Sequence, residues 1–313
     1  MSIFANTFNN ITLEDRALMN EYFKGYDYRG ASFTFLANYV WREMYCLSWE
    51  VIEGYFCMSA GRCDAGERDA VMAVPMTRNG EYDSESLKRC IEICKEKFNA
   101  AGVEFALGAI PGHMVEIIEN ALPGVFEAEH IRDLDEYVYL KEKLITLSGR
   151  ALHKKKNHLN FFLRSFDYES KPLSKDMQKD ILELTARIKE YKEMDPDEVD
   201  DLEGEYDAIV EMLDHLEDPD VYSVAIFIKG HLEAFAIGER LSETMAVEHF
   251  EKANGAYRGL YQLVCREFCM ALPEEIELVN REEDMGLPNL RQAKEALKPE
   301  YMEEKFLMRP KSQ

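Results

Sequence analysis

Long apolar runs are absent from this 313-residue chain. Stretches such as Val224–Ile228 fall far short of the ~18 residues a membrane span requires. Basic residues are also scarce: 37 Lys and Arg stand against 60 Asp and Glu, a formal net charge of −23. That balance disfavours a broad cationic surface, so neither DNA nor an anionic lipid surface is an expected partner. The opening residues, Met1 to Asn6, carry no basic n-region and no apolar h-region. No export signal is read there, and the expectation is a cytoplasmic protein. No Cys-x-x-Cys occurs among the seven cysteines, and no cluster of histidines completes a metal-ligand pattern. Cys90 and Cys94, like Cys265 and Cys269, are four apart and so share a helix face. Buried free thiols are the expected reading, with no disulfide and no metal.

What is present is material for a large core. Hydrophobic residues make up 46% of the chain and charged residues 31%, which excludes a disordered polymer and suggests two domains. The charge is unevenly spread. Glu193 to Asp220 holds 14 acids and no Lys or Arg, whereas Arg150, Lys154, Lys155, Lys156 and Arg164 fall in a stretch without any acid. The acidic run reads as a solvated helix face or loop. The basic stretch leaves room for one local pocket that takes a phosphorylated ligand.

Periodicity places the elements. In the second half, helices are expected over 174–192, with Met177, Ile181, Leu182, Leu184 and Ile188 as an apolar stripe, and over part of 199–216. Strands follow at 221–228, 232–237 and 244–250, the first two joined through Lys229-Gly230 with hairpin chemistry. A helix (259–272), a strand (276–279), a helix (287–297) and a last strand (301–308) complete the half. The first half repeats this order loosely. It opens with a helix to Phe23 and an aromatic segment, Phe33 to Trp41, and has strands at 49–57 and 70–74. A helix (84–100), a strand (103–109), a short helix after Pro111-Gly112 and strands near 125 and 137–140 follow. Mixed α/β units of similar plan are therefore expected, residues 1–148 and 149–313, in the element order of N-acetyltransferase-like folds.

Three stretches carry chemistry. Between Gly149 and Phe162, helical spacing gathers Leu152, Leu159, Phe162 and Leu163 on one face. Arg150, His153, Lys154, Asn157 and Arg164 share the other, a set of donors suited to phosphate or carboxylate. Lys155 points toward the apolar side, where it needs a partner or must snorkel. The same pattern also suits an ordinary amphipathic helix with a solvated face. The second stretch, Glu248 to Tyr261, runs from a strand into a helix. Arg258-Gly259 resembles the start of a coenzyme-A-binding turn, with Tyr261 where a small residue is expected. A plain tight turn is the favoured reading over a full coenzyme A cradle. In the third stretch, Asn280 to Lys294, Glu282, Glu283 and Asp284 beside Gly286 are placed to hold an amino group, while Arg291 and Lys294 share a helix face. A capped turn whose acids complement the helix dipole fits as well.

The first and third stretches resemble the phosphatidylglycerol lysyltransferase C-terminal family. Gly149-Arg150-x-x-His153-x-Lys155-Lys156-Asn157 is similar to that family's Gly-Arg-x-x-His-x-Lys-Arg-Asn signature, with Lys156 for the usual arginine. Asn280 to Lys294 is similar to its Asn-x-Glu-x-Asp-x-Gly motif and the Arg-x-x-Lys that follows, with Asn289 for a usual glycine. Asp135-x-Tyr137-x-Tyr139, His249-x-Glu251-Lys252-Ala253 and Lys298-Pro299 add to the likeness, which spans most of the chain. The resemblance implies a tandem acetyltransferase-like fold. It also implies transfer of an acyl or aminoacyl group to an amine or hydroxyl acceptor, from aminoacyl-tRNA or an acyl-coenzyme A, with no tightly bound cofactor. The net charge disfavours tRNA as the donor.

Under that reading Glu251 and Glu282 are the catalytic candidates. Arg150, His153, Lys155, Asn157, Lys252, Asn280, Asp284, Arg291 and Lys294 are candidates for substrate binding, and Arg258 and Gly259 for the donor. Lys155 is expected to point inward toward Glu251, Glu282 or Asp284. The alternative is a non-catalytic binding module that keeps the fold, with Tyr261 and Asn289 filling part of a ligand channel.

Overall fold

A computed structural model of the chain describes residues 4, 8–63, 69–191 and 196–311; the start of the acidic run, residues 193–195, lies outside the described residues. Two compact units result, Met1–Glu136 with Glu303–Gln313, and Tyr137–Met302. These units divide the chain elsewhere than the expected 148/149. Strand pairing decides the matter: Glu136–Leu140 hydrogen-bonds to Leu278–Asn280 in the second sheet, and Lys305–Pro310 lies between Leu107–Pro111 and Phe126–His130 in the first.

The first unit holds a seven-stranded sheet in the order Asn9–Asn10, Ser48–Ile52, Tyr55–Ala60, Val71–Met72, Leu107–Pro111, Lys305–Pro310, Phe126–His130. The single strand expected over 49–57 is in fact a hairpin. Glu53 and Gly54 turn it with φ of 53° and 87°, the left-handed pair a two-residue hairpin loop needs. Helix Ser84–Ala100 matches its expected span. Asp83 caps it by accepting a hydrogen bond from the Ser86 amide at 2.9 Å. Leu87, Cys90, Ile91, Cys94 and Phe98 recur at helical spacing and are all buried. Cys46 and Cys63 form a disulfide, against the expectation of free thiols throughout. The other five cysteines are free and buried.

The second unit is also built on a seven-stranded sheet, ordered Tyr301–Glu303, Glu136–Leu140, Leu278–Asn280, Met245–Ala253, His231–Arg240, Val221–Ile228, Glu169–Lys171. The hairpin at Lys229-Gly230 forms as read, with φ of 53° and 81°. Met245–Ala253 and Leu278–Asn280 are parallel, so helix Leu260–Ala271 is the crossover between them. Its buried face, Leu260, Leu263, Val264, Cys265, Phe268 and Cys269, packs on the sheet together with Leu159 and Phe162 of helix His153–Ser165. Leu163 was expected on that same face but is exposed, as is Leu182 in the stripe of helix Gln178–Tyr191.

Candidate functional site

The site is organised by one irregularity in strand Met245–Ala253. Ile237 pairs with Phe250 and Gly238 with Glu248, leaving His249 as an extra residue in the bulge. Strict alternation would send Glu248 and Glu251 to opposite faces of the sheet. The extra residue cancels that, and both carboxylates reach Arg281, which follows the neighbouring parallel strand. Arg281 Nε donates to Glu248 Oε2, and its Nη2 lies 2.7 Å from Glu251 Oε2. All three side chains are largely buried. Two carboxylates thus share a single guanidinium. Burial first, then repulsion from Glu248, outweigh the attraction of Arg281 and push the Glu251 carboxyl up to about 8.

Lys155 approaches the same cluster from helix His153–Ser165. It is half-buried, as its position on the helix predicts. Burial, and then the charges of Arg281 and Lys154, lower its pKa, with Glu251 opposing. Among the described residues it makes no direct ion pair, so Glu251 is a neighbouring charge and the expected close pairing is not formed. Tyr261 also borders Glu251. Burial of its hydroxyl end, followed by the Glu251 charge, pushes the phenol up to about 12.

His249 itself is almost wholly enclosed, with its side chain 1% exposed. Nδ1–H donates to Glu282 Oε1 at 2.7 Å and Nε2–H to Glu239 Oε1 at 3.0 Å. Burial alone would favour the neutral ring, but the two carboxylates overcome it and raise the pKa to about 10. The ring is therefore a buried imidazolium, and Glu282 already has a cation.

The loop after Leu278–Asn280 is held by its own side chains. Glu282 and Met285 take left-handed backbone angles, φ 58° and 52°, which for residues with a Cβ must be enforced by their surroundings. Asn280 Oδ1 accepts from the Glu282 amide at 2.8 Å, and the Lys294 ammonium donates to the carbonyls of Arg281 and Glu283. Asp284, fully buried, accepts from Tyr137 Oη, the Gly286 amide at 2.9 Å, and both Nε and Nη2 of Arg291 at 2.8 Å. Those bonds hold its carboxyl well below the usual range despite burial.

Of the expected site residues, then, the fold brings Lys155 and Glu251 together. Asn280, Asp284, Arg291 and Lys294 knit the loop, and Lys252 pairs with Glu205 at 2.5 Å. Arg150, His153 and Asn157 lie exposed on the outer face of the basic segment; His153 and Asn157 hydrogen-bond each other at 3.3 Å. Arg258 stacks over Phe161. Gly259 has φ +96°, and a Cβ there would meet the His158 carbonyl oxygen at 2.2 Å. Its missing side chain makes room for helix His153–Ser165, a packing reason where the sequence suggested a ligand's approach. Arg281, Glu248 and His249 are not among the candidate site residues the sequence offers, although His249 belongs to one of the family-like motifs. Period-two reading separates 248 from 251, and only the bulge reveals their convergence. Two surface hollows, one lined by Lys175, Gln178 and Asp207 and the other by Tyr82, Ser84 and Asn120, lie away from these residues.

Two mixed sheets, each flanked by helices, with a bulged strand beside a parallel one carrying the buried charges, define a tandem N-acetyltransferase-like protein. A tandem GNAT protein from the clavulanic acid biosynthesis pathway shares this fold, with TM-score 0.53 at 9% identity over 98% of this chain and 99% of the other. The chain belongs to the family described as phosphatidylglycerol lysyltransferase, C-terminal, whose profile matches residues 23–309. A conserved protein of unknown function from Bacteroides thetaiotaomicron superposes with TM-score 0.86 at 27% identity, over 97% of this chain and 99% of the other. L-PGS from Bacillus licheniformis superposes with TM-score 0.62 at 12% identity, over 98% and 94% of the two chains. An uncharacterised protein of Mycoplasmoides gallisepticum is 24% identical over 174 residues; the match spans 55% of each chain, so about half of that relative's length. Among the described residues no helix is long and apolar enough to cross a membrane.

Proposed function

We propose that the chain transfers an acyl or aminoacyl group from an activated donor to an amine or hydroxyl acceptor, with Glu251 as proton acceptor. The observation that carries this reading is the pair of carboxylates on one guanidinium, which leaves Glu251 titrating at about 8. An amine attacks only after losing a proton, and a carboxyl poised near working pH is suited to take it. The acceptor nitrogen bonds to the donor's carbonyl carbon while its proton passes to Glu251. The acyl–oxygen or acyl–sulfur bond then breaks, and the departing group takes up a proton. The Lys155 ammonium, beside Glu251, is positioned to stabilise the carbonyl oxygen as it gains charge. Arg150, His153, Asn157 and Arg258 are exposed donors for the donor's phosphates, as an acyl-coenzyme A or aminoacyl-tRNA would present. Glu282 is held by His249 and supports the loop without contacting the acceptor.

Thermal-shift measurements with coenzyme A thioesters and aminoacyl-adenosine analogues identify the donor class, and single-turnover transfer to amines tests the reaction. Activity should rise about tenfold per pH unit below 8 and level off above it, and Glu251→Gln should remove both the rise and most of the rate. A flat pH profile with full activity in Glu251→Gln would overturn the assignment. A second reading, a binding module without chemistry, is favoured by Tyr261 against Glu251. It predicts ligand stabilisation with no turnover, and turnover gained in Tyr261→Ala.

A further inference from the structure

A second group of reactive side chains lies in the first unit, apart from the acidic cluster. Cys57 comes from strand Tyr55–Ala60, and Cys90 and Cys94 come from helix Ser84–Ala100. All three are completely buried, and their sulfurs lie within 4.8 Å of one another, with Cys57 and Cys90 3.3 Å apart. The four-residue spacing of Cys90 and Cys94 offered two sulfurs and no third, so the sequence pointed away from a metal. The sheet supplies the third.

The geometry points to a trithiolate site for a soft, thiophilic cation of charge two or three, held in three-coordinate fashion by Cys57, Cys90 and Cys94. With metal–sulfur bonds of about 2.3 Å, three sulfurs around one centre stand about 4 Å apart, within the spread observed. Zinc in structural sites takes four ligands, and the described residues bring no fourth His, Asp, Glu or Cys into the group. A cation content with three sulfurs is therefore favoured, cadmium(II) or arsenic(III) in chemical class.

Charge ranks them further. Lys97 is the cation bearing on Cys94, and it is paired with Glu50 at 2.7 Å. Glu53 adds a negative charge near Cys90. A buried site so poor in positive charge penalises any residual charge on the complex. A trivalent centre gives a neutral trithiolate, a divalent one leaves a single negative charge, and a monovalent one leaves two. Arsenite reacts as As(OH)3 with three thiols to give As(SR)3 and three waters, and cadmium displaces the thiol protons into solvent. Neither step needs an oxidant or reductant.

Cadmium(II) and arsenite titrated into the full chain provide the test, read by thiolate-to-metal absorbance and intact mass. One equivalent should bind, arsenite adding the mass of arsenic less three hydrogens, and binding should fall to zero in Cys57→Ser, Cys90→Ser and Cys94→Ser. Cys265→Ser and Cys46→Ser should keep it. Arsenic-edge X-ray absorption on the unaltered protein should count three sulfur neighbours, a readout that does not depend on any variant folding. No binding, binding that survives Cys57→Ser, or a two-sulfur centre would each overturn the proposal.

Discussion

Replacing His249 by glutamine tests the most charged part of the second unit. The imidazolium is enclosed between Glu239 and Glu282, and its pKa rises from 6.5 to about 10. At about 1.4 kcal/mol per pKa unit, that shift links protonation to folding by about 5 kcal/mol. The folded-state pKa is raised, so the contribution is fully present below pH 6.5 and disappears as pH climbs through 10. Across that window the native chain holds one proton more than the unfolded chain, and stability falls by about 1.4 kcal/mol for each pH unit. Glu251 adds a fall of the same sign between 4.5 and about 8, but it is common to both proteins and cancels in the difference. Urea unfolding of the wild type and His249→Gln from pH 6 to 10 is the assay. The wild type should be more stable by about 3–5 kcal/mol at pH 6.5, since removing one partner strands two carboxylates, and the curves should converge near pH 10. Parallel curves, or a ring that nitrogen NMR finds neutral at pH 7.5, would refute the reasoning.

Asp284→Asn should cost about 1.5–3 kcal/mol, because the buried carboxylate's charge-assisted bonds from Tyr137 and the partly exposed Arg291 are weakened. Its depressed carboxyl contributes above the usual carboxylate pKa and fades as pH falls through the folded value, so the gap from wild type should narrow in acid unfolding. Gly149 and Gly259 share φ +96°, yet a Cβ meets nothing at 149 and the His158 carbonyl at 259. Gly149→Ala should cost about 1–3 kcal/mol of backbone strain and Gly259→Ala distinctly more by thermal unfolding; equal losses would show that the contact does not matter. Phe162, fully buried against helix Leu260–Ala271, should cost about 3–5 kcal/mol when replaced by alanine, measured by urea denaturation.

Local chemistry was legible where it acts over a few residues. The stripe and cap of Ser84–Ala100, the Lys229-Gly230 turn and the outward face of the basic helix all follow from spacing. Lys155 is half-buried, and its place on that helix follows from its offset from Leu152 and Leu159, a matter of angle alone. The unit boundary was not legible, since Lys305–Pro310 chooses its partners across nearly 200 residues and nothing in its own sequence names them. The Cys46–Cys63 disulfide joins residues on either side of a hairpin that had been read as one strand. The convergence of Glu248 and Glu251 depends on one residue without a pairing partner, and a bulge leaves no signature in a two-residue period. The Asn280–Lys294 residues brace a strained loop, and in sequence such bracing groups look the same as groups that grip a ligand.

The placement of Lys305–Pro310 bears on how the chain matures during synthesis. That strand fills the gap between Leu107–Pro111 and Phe126–His130, so the first sheet stays split until the whole second unit has emerged. At translation speeds of about 5–20 residues per second, the wait is on the order of 10 s. Through that interval two strand edges stand open beside an apolar interior, the condition that invites chaperone capture or pairing with a neighbouring nascent chain. The second unit has all of Tyr137–Met302 at hand sooner. It is thus the later-encoded unit that can finish first, and the earlier one that waits for its last strand.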